Sequence, residues 1–277
     1  MSRRRARWSV IALLLLALAL AVHGRGDDWF FWPDGDDVVH HTLAEFSLRG
    51  EDCEFASGDG TRLHGLWLAA DGERSGTVVF CHGNAANLSL HLADVRWLPR
   101  AGFDVLLFDY RGYGKSSGEP TRDGLVADAL AAIDLALARD PERTAVFGHS
   151  LGGAIAVLAV AQRPRVRALV VESGFPRWRD AASAQAPALA WLVPWLVSPG
   201  LDPIDAMARI APRPVLVVHG DDDAIVPPAL GRMLFAAATE PKRFHLAHGS
   251  GHATPWRVEG EAFEALVKGF LREAMGR

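Results

Sequence analysis

The chain has 277 residues, 49% of them hydrophobic, and a formal net charge of −4. That length and apolar content suit a single α/β domain with a large core. No run of Lys or Arg occurs outside the N-terminus, which excludes a nucleic-acid footprint.

The first segment differs in kind from the rest. Arg3, Arg4, Arg5 and Arg7 precede an apolar run over 8–22, the layout of a basic n-region followed by an h-region. As a helix that run spans about 22 Å at ~1.5 Å per residue, short of the ~30 Å hydrocarbon core. Ala19-Leu20-Ala21 offers a cleavage site. Residues 1–28 are therefore expected to be a signal anchor or a signal peptide. A retained anchor predicts a single-pass membrane protein with its domain on the non-cytoplasmic side, because the arginines stay cytoplasmic; cleavage predicts a secreted or periplasmic protein. Trp29-Phe30-Phe31-Trp32-Pro33 is expected either at a membrane interface or packed on the domain.

Residues 29–277 are expected to form the domain. Apolar runs alternate with helical stretches punctuated by Gly and Pro, the pattern of a parallel sheet covered on both faces. Strands are predicted over 51–56, 61–70, 77–82, 103–109, 144–149, 166–173, 214–220 and 242–248. The first two are joined as a hairpin through Ser57-Gly58-Asp59-Gly60. Helices are predicted over 88–100, 121–139, 151–163, 227–238 and 255–275. Residues 174–212, rich in Ala, Trp and Pro, break the alternation and are read as a small helical lid. Cys53 and Cys81 fall inside predicted strands with no CxxC or Cys/His metal spacing. They read as buried thiols, with one disulfide as the alternative.

Gly148-His149-Ser150-Leu151-Gly152 follows the strand at 144–149 and opens an Ala-rich helix. Glycines at both ends permit the tight strand-to-helix turn that exposes a serine hydroxyl at a helix N-terminus, so Ser150 is the candidate nucleophile. A serine needs a base and a group to orient that base. Asp221-Asp222-Asp223 follows the seventh strand and His248-Gly249-Ser250-Gly251-His252 follows the eighth, in the chain order Ser, Asp, His. His252, on a Gly-flanked loop, is the candidate base. Asp223 is the candidate orienter, because it starts the turn into Ile225-Val226-Pro227. Asp221 is assigned to local turn hydrogen bonds and Asp222 to solvent. Glu172 is a second possible acid, with pairing to a nearby Arg as its structural alternative. His149 and His219 are read as structural histidines bonded near the core, and His82 as shaping its loop.

Acyl transfer also needs two donors for the developing oxyanion. The backbone N–H groups of Asn84, in the loop after the third strand, and of Leu151 are the candidates. Arg111-Gly112-Tyr113-Gly114-Lys115-Ser116 carries the end of a phosphate-binding loop, but Asp109 stands where its first glycine belongs.

These blocks together have a family likeness. Phe80-Cys81-His82-Gly83-Asn84-Ala85-Ala86-Asn87, the run from Phe108-Asp109-Tyr110-Arg111-Gly112-Tyr113-Gly114 to Thr121, the Ser150 pentapeptide and His219-Gly220-Asp221-Asp222-Asp223 resemble the Bem46-like (ABHD13/ABHD17-like) α/β hydrolases. The resemblance implies the α/β-hydrolase fold, a membrane-proximal serine hydrolase of esters or thioesters, and an N-terminal transmembrane segment. Ala86 departs from the family, which often carries Gly there. The resulting expectation is an eight-stranded, mostly parallel α/β-hydrolase sheet that cleaves small-molecule esters or acyl compounds through Ser150, Asp223 and His252, with no cofactor or metal. A peptidase or acyltransferase using the same groups, and a silent membrane-tethered binding module, are the alternatives.

Overall fold

The central predicted runs become strands because their apolar residues are buried on both faces. In the computed structural model, which describes residues 27–276, the predicted runs form β1 (Gly50–Ala56), β2 (Arg62–Leu68), β3 (Gly76–Cys81), β4 (Phe103–Phe108), β5 (Thr144–His149), β6 (Leu169–Glu172), β7 (Val215–Gly220) and β8 (Lys242–Ala247). One sheet joins them in the order β8-β7-β6-β5-β3-β4-β2-β1. The pairs β1–β2 and β2–β4 are antiparallel and the others parallel. Every residue of β3, β4, β5 and β7 is buried. The edge strand β1 instead exposes Glu51, Asp52 and Glu54, charges that discourage pairing with another sheet.

Alternate residues serve opposite faces. Val79, Leu106 and Val146 pack with Leu125, Ile133 and Ile155, whereas Val78, Val105 and Phe147 pack with Leu92, Phe263 and Val267. The covering helices are α1 (Leu88–Val95), α2 (Trp97–Arg100), α3 (Arg122–Arg139), α4 (Leu151–Val160), α5 (Trp178–Gln185), α6 (Val193–Leu196), α7 (Pro203–Met207), α8 (Pro228–Ala237), α9 (Pro255–Val258) and α10 (Glu261–Ala274). Asn87 caps α1 by accepting from Ser89 N–H, and Thr121 caps α3 by accepting from Gly124 N–H.

Two predicted helices are each divided. The run over 88–100 breaks at Arg96, since Pro99 has no N–H to continue the ladder. The run over 255–275 breaks at Glu259-Gly260, where Gly260 has φ 54°. Residues 174–212 contain α5, α6, α7 and two 3₁₀ turns, as the break in alternation suggested.

The N-terminal segment runs along the carboxyl edge of the sheet. Trp32–Pro33 pairs in parallel with Ala85–Ala86 in the loop after β3. Phe30 and Phe31 are buried while Trp29 and Trp32 are exposed. Phe30 meets Trp178 edge-on at 5.0 Å, and the Arg122 guanidinium lies 4.7 Å from the centre of that indole. Arg122 also donates to the Ser198 carbonyl and pairs with Asp27. One buried cation thus joins the N-terminal segment, α3 and the insertion.

The expected placement across a membrane is corrected here. No helix among the described residues is long and apolar enough to cross a bilayer, and the run over 8–22 on which the anchor or cleaved signal rested lies outside them. Cys53 and Cys81 are free, with no disulfide between them. Burial raises their thiols to about 11 and about 12 respectively.

The Tyr-Arg-Gly block is anchored by a buried ion pair. Asp128, with no exposed surface, accepts from Arg111 N–H, Nε and Nη2, and Arg111 Nη1 reaches Asp59 at 2.8 Å. Replacing Asp128 by Ala leaves the guanidinium without its buried partner and is expected to cost ~3–5 kcal/mol. Urea unfolding measures this; a loss below ~1 kcal/mol would contradict the assignment.

Candidate active site

β5 ends at His149 and α4 begins at Leu151, so a single residue must reverse the chain. Ser150 does this at φ 54°, ψ −116°, a conformation uncommon for a residue with a side chain. Its N–H donates to the Glu172 carbonyl at 2.8 Å. The turn depends on Gly152, where a Cβ would lie 1.9 Å from the Cys81 carbonyl oxygen. As the first residue of α4, Leu151 has an N–H with no intrahelical acceptor.

The loops after β7 and β8 bring the other two candidates to this turn. His252 Nδ1 lies 2.8 Å from Asp223 Oδ2, and His252 Nε2 lies 2.8 Å from Ser150 Oγ. With Nδ1–H donated to the carboxylate, Nε2 keeps the lone pair that accepts the Ser150 O–H. Asp223 Oδ1 accepts from Ile225 N–H and Val226 N–H. His219 Nε2 lies 3.3 Å from Asp223 Oδ2 and donates to the Val226 carbonyl. Burial works to raise the Asp223 pKa, but hydrogen bonds from His219 and His252 outweigh it and hold the carboxyl well below the usual range.

Two residues outside the candidate set support the His252 loop. Ser173, at φ 52° just after β6, accepts from Ala253 N–H through its hydroxyl. Gly220 lets the loop pass close by, since a Cβ there would meet the Ser250 carbonyl at 2.2 Å.

Asn84 and Leu151 line a cleft of about 230 Å³ together with Ser150 and His252. Tyr113 O–H donates to the Asn84 carbonyl at 2.9 Å, and Trp32 N–H donates to Asn84 Oδ1 at 3.1 Å. The Tyr-Arg-Gly-Tyr block therefore fixes the loop that carries one candidate oxyanion donor. Ala86, with φ 66°, occupies a left-handed conformation there, which is the physical reason a glycine suits the position. Phe30, Trp32, Phe175, Ala181, Ile225 and Val226 supply apolar wall.

The remaining assignments divide. Asp221 bonds His248 Nδ1 and Gly249 N–H, and Asp222 is exposed. His82 Nδ1 bonds the Gly83 carbonyl in a fully buried setting. Asp109, in place of the phosphate-loop glycine, accepts from Leu88 N–H at the start of α1. Glu172 departs from expectation: its partner is His149 Nδ1 at 2.8 Å, not an arginine. Neighbouring strand ends bring them together, as His149 and Glu172 are register partners in β5 and β6.

The chain is similar to known proteins over most of its length. WAV2 of Arabidopsis thaliana, an α/β hydrolase domain-containing protein, is 35% identical over 252 residues, covering 84% of this chain and 82% of WAV2. Protein bem46 of Schizosaccharomyces pombe is 29% identical over 250 residues, covering 87% and 83%. The chain belongs to the Bem46-like family of α/β hydrolases. A family model described as Hydrolase_4, serine aminopeptidase S33, matches residues 72–208 of this Bem46-like hydrolase. The Pyrococcus furiosus esterase Pf2001 shares its fold, with a TM-score of 0.73, 21% identity, and coverage of 89% of this chain and 98% of Pf2001.

The depressed Asp223 pKa has a testable sign. A carboxyl held below its unfolded value of ~3.9 contributes stability above that value and loses it as pH falls toward the folded pKa. The stability gap between wild type and Asp223→Asn should widen from about pH 2 to about pH 5 and stay constant above that. Urea unfolding across this range measures it, and a gap independent of pH would overturn the account.

Proposed function

We propose that this hydrolase cleaves carboxylic esters or thioesters through an acyl-enzyme on Ser150. The observation that carries the reading is the unbroken pair of 2.8 Å hydrogen bonds from Asp223 through His252 to Ser150 Oγ, beside an apolar-walled cleft. In this mechanism Ser150 Oγ attacks the acyl carbonyl and passes its proton to His252 Nε2. Asp223 holds the ring in the tautomer that can accept the proton and stabilises the resulting cation. The carbonyl oxygen becomes an oxyanion bonded by the Asn84 and Leu151 N–H groups. His252 then protonates the departing alcohol or thiol, and a water repeats the sequence to release the acid.

The cleft lining favours an ester over a peptide N-terminus. An aminopeptidase holds its substrate's ammonium with carboxylates, yet none of the described residues lining this cleft is Asp or Glu. Two carboxylates of the insertion are engaged elsewhere: Asp180 with Arg177, and Asp202 with the Trp178 N–H. The apolar walls formed by Phe30, Phe175 and Val226 instead suit an apolar acyl group. Ala181 and Gln185 of α5 also line the cleft, which supports reading the insertion as a lid over it.

A fluorophosphonate probe should label the wild-type protein once and leave Ser150→Ala unlabelled. On a short-chain p-nitrophenyl ester, Asp223→Asn should lose ~10⁴-fold in kcat and His252→Ala a comparable amount or more. Undiminished labelling of Ser150→Ala, or near-wild-type turnover in the other variants, would overturn the mechanism.

A further inference from the structure

Beside Ser150 the fold gathers three side chains that this chemistry does not use. His91 and Asp94 lie one turn apart on α1, and His149 ends β5. One ligand atom from each lies within 4.8 Å of the other two. We propose that His91, Asp94 and His149 form a binding site for a zinc-class divalent transition-metal ion in the wall of the cleft.

The hydrogen bonds around these residues point their free atoms inward. His149 Nδ1 is engaged by Glu172 Oε2 at 2.8 Å, leaving Nε2, which makes no hydrogen bond among the described residues. His91 Nε2 lies 3.3 Å from the Ala85 carbonyl, and in the tautomer that donates there Nδ1 is an acceptor. That acceptor faces Asp94 Oδ2 at 2.8 Å. Two acceptors at such a distance need a cation between them, either a ring proton or a metal ion. Metal-bound histidines characteristically give their second nitrogen to a carboxylate or a backbone carbonyl, and both partners are already in place.

Packing also prepares the site. His91 stacks on buried His82 with ring centres 4.9 Å apart, which fixes its plane. Gly83 passes over both rings, and a Cβ there would lie 3.0 Å from His149 Cδ2 and 3.6 Å from His91 Cε1. Around a tetrahedral ion with bonds of ~2.0–2.1 Å, neighbouring ligand atoms are about 3.3 Å apart. The observed separations, 2.8 Å for one pair and up to 4.8 Å overall, bracket that value. Two imidazoles and one carboxylate are the donors of zinc, nickel or cobalt sites; magnesium and calcium prefer oxygen alone. Three protein ligands leave a fourth position, and since His91 and His149 both line the cleft, it opens there.

Equilibrium dialysis of the full chain against Zn²⁺, with no other ligand, tests the site. Wild type should bind one equivalent, at least 100-fold more tightly than Mg²⁺ or Ca²⁺, and its Tm should rise with Zn²⁺. Ser150→Ala and the surface variant His248→Gln should retain that equivalent, which separates this outcome from the fate of the acyl-enzyme reading. His91→Gln and Asp94→Asn, with circular dichroism unchanged, should each bind at least tenfold more weakly. Absence of a saturable equivalent in wild type, its loss in His248→Gln, or undiminished affinity in both folded ligand variants would overturn the proposal.

Discussion

The conformation of Ser150 is the constraint on which the rest of the molecule depends. Holding a serine at φ 54° costs of the order of 1–3 kcal/mol, and local sequence offers no compensation. The offset comes from α4, all ten residues of which are buried. That burial requires α4 to lie tightly on the sheet, which Gly152 permits by its approach to the end of β3. The same contact that makes the turn possible sets the serine beside the loop carrying Asn84. Strain, packing and placement of the hydroxyl are therefore one arrangement viewed at three scales.

The remaining groups come from loops at the carboxyl ends of the parallel strands, where an α/β sheet gathers its ligands. Each loop is tied to a neighbour instead of relying on its own stiffness. Asn84 is held by Tyr113 and Trp32, and the His252 loop by Ser173. The cleft walls are likewise composite, because Phe30 arrives from the N-terminal segment and Phe175 and Ala181 from the stretch after β6. Arg122 lies behind both walls, against Phe30 and Trp178.

Legibility in the sequence follows from the range of the forces involved. Strands such as Val215–Gly220 were readable because two-sided burial imposes a continuous apolar run. The turn at Ser150 was readable because its glycines and its place between strand and helix are local. Asp223 and His252 were readable through their order along the chain, though the 2.8 Å contacts between them belong to the fold. The pairing of Trp32–Pro33 with Ala85–Ala86 was not foreseen, because two residues make no periodicity. Tyr113 was visible as part of a motif but not as a support for Asn84, and of the two readings of Glu172 the pairing with an arginine is replaced by His149. Both contacts join residues distant along the chain, where sequence separation says little. The breaks at Arg96 and Gly260 were signalled by Pro99 and Gly260 and masked by the strong apolar stripe on either side.

Glu172 and Asp223 show why a carboxylate paired with a histidine does not by itself identify catalysis. Both are buried, and each bonds a histidine Nδ1 at 2.8 Å. The difference lies at the opposite nitrogen. His252 Nε2 meets the hydroxyl of Ser150, whereas His149 belongs to a cluster with His91 and Asp94. In the first pair the free nitrogen faces a hydroxyl. In the second the histidine sits in a cluster with a second imidazole and a carboxylate. Chemically similar pairs on adjacent strand ends are thus separated in role by what the fold sets in front of them.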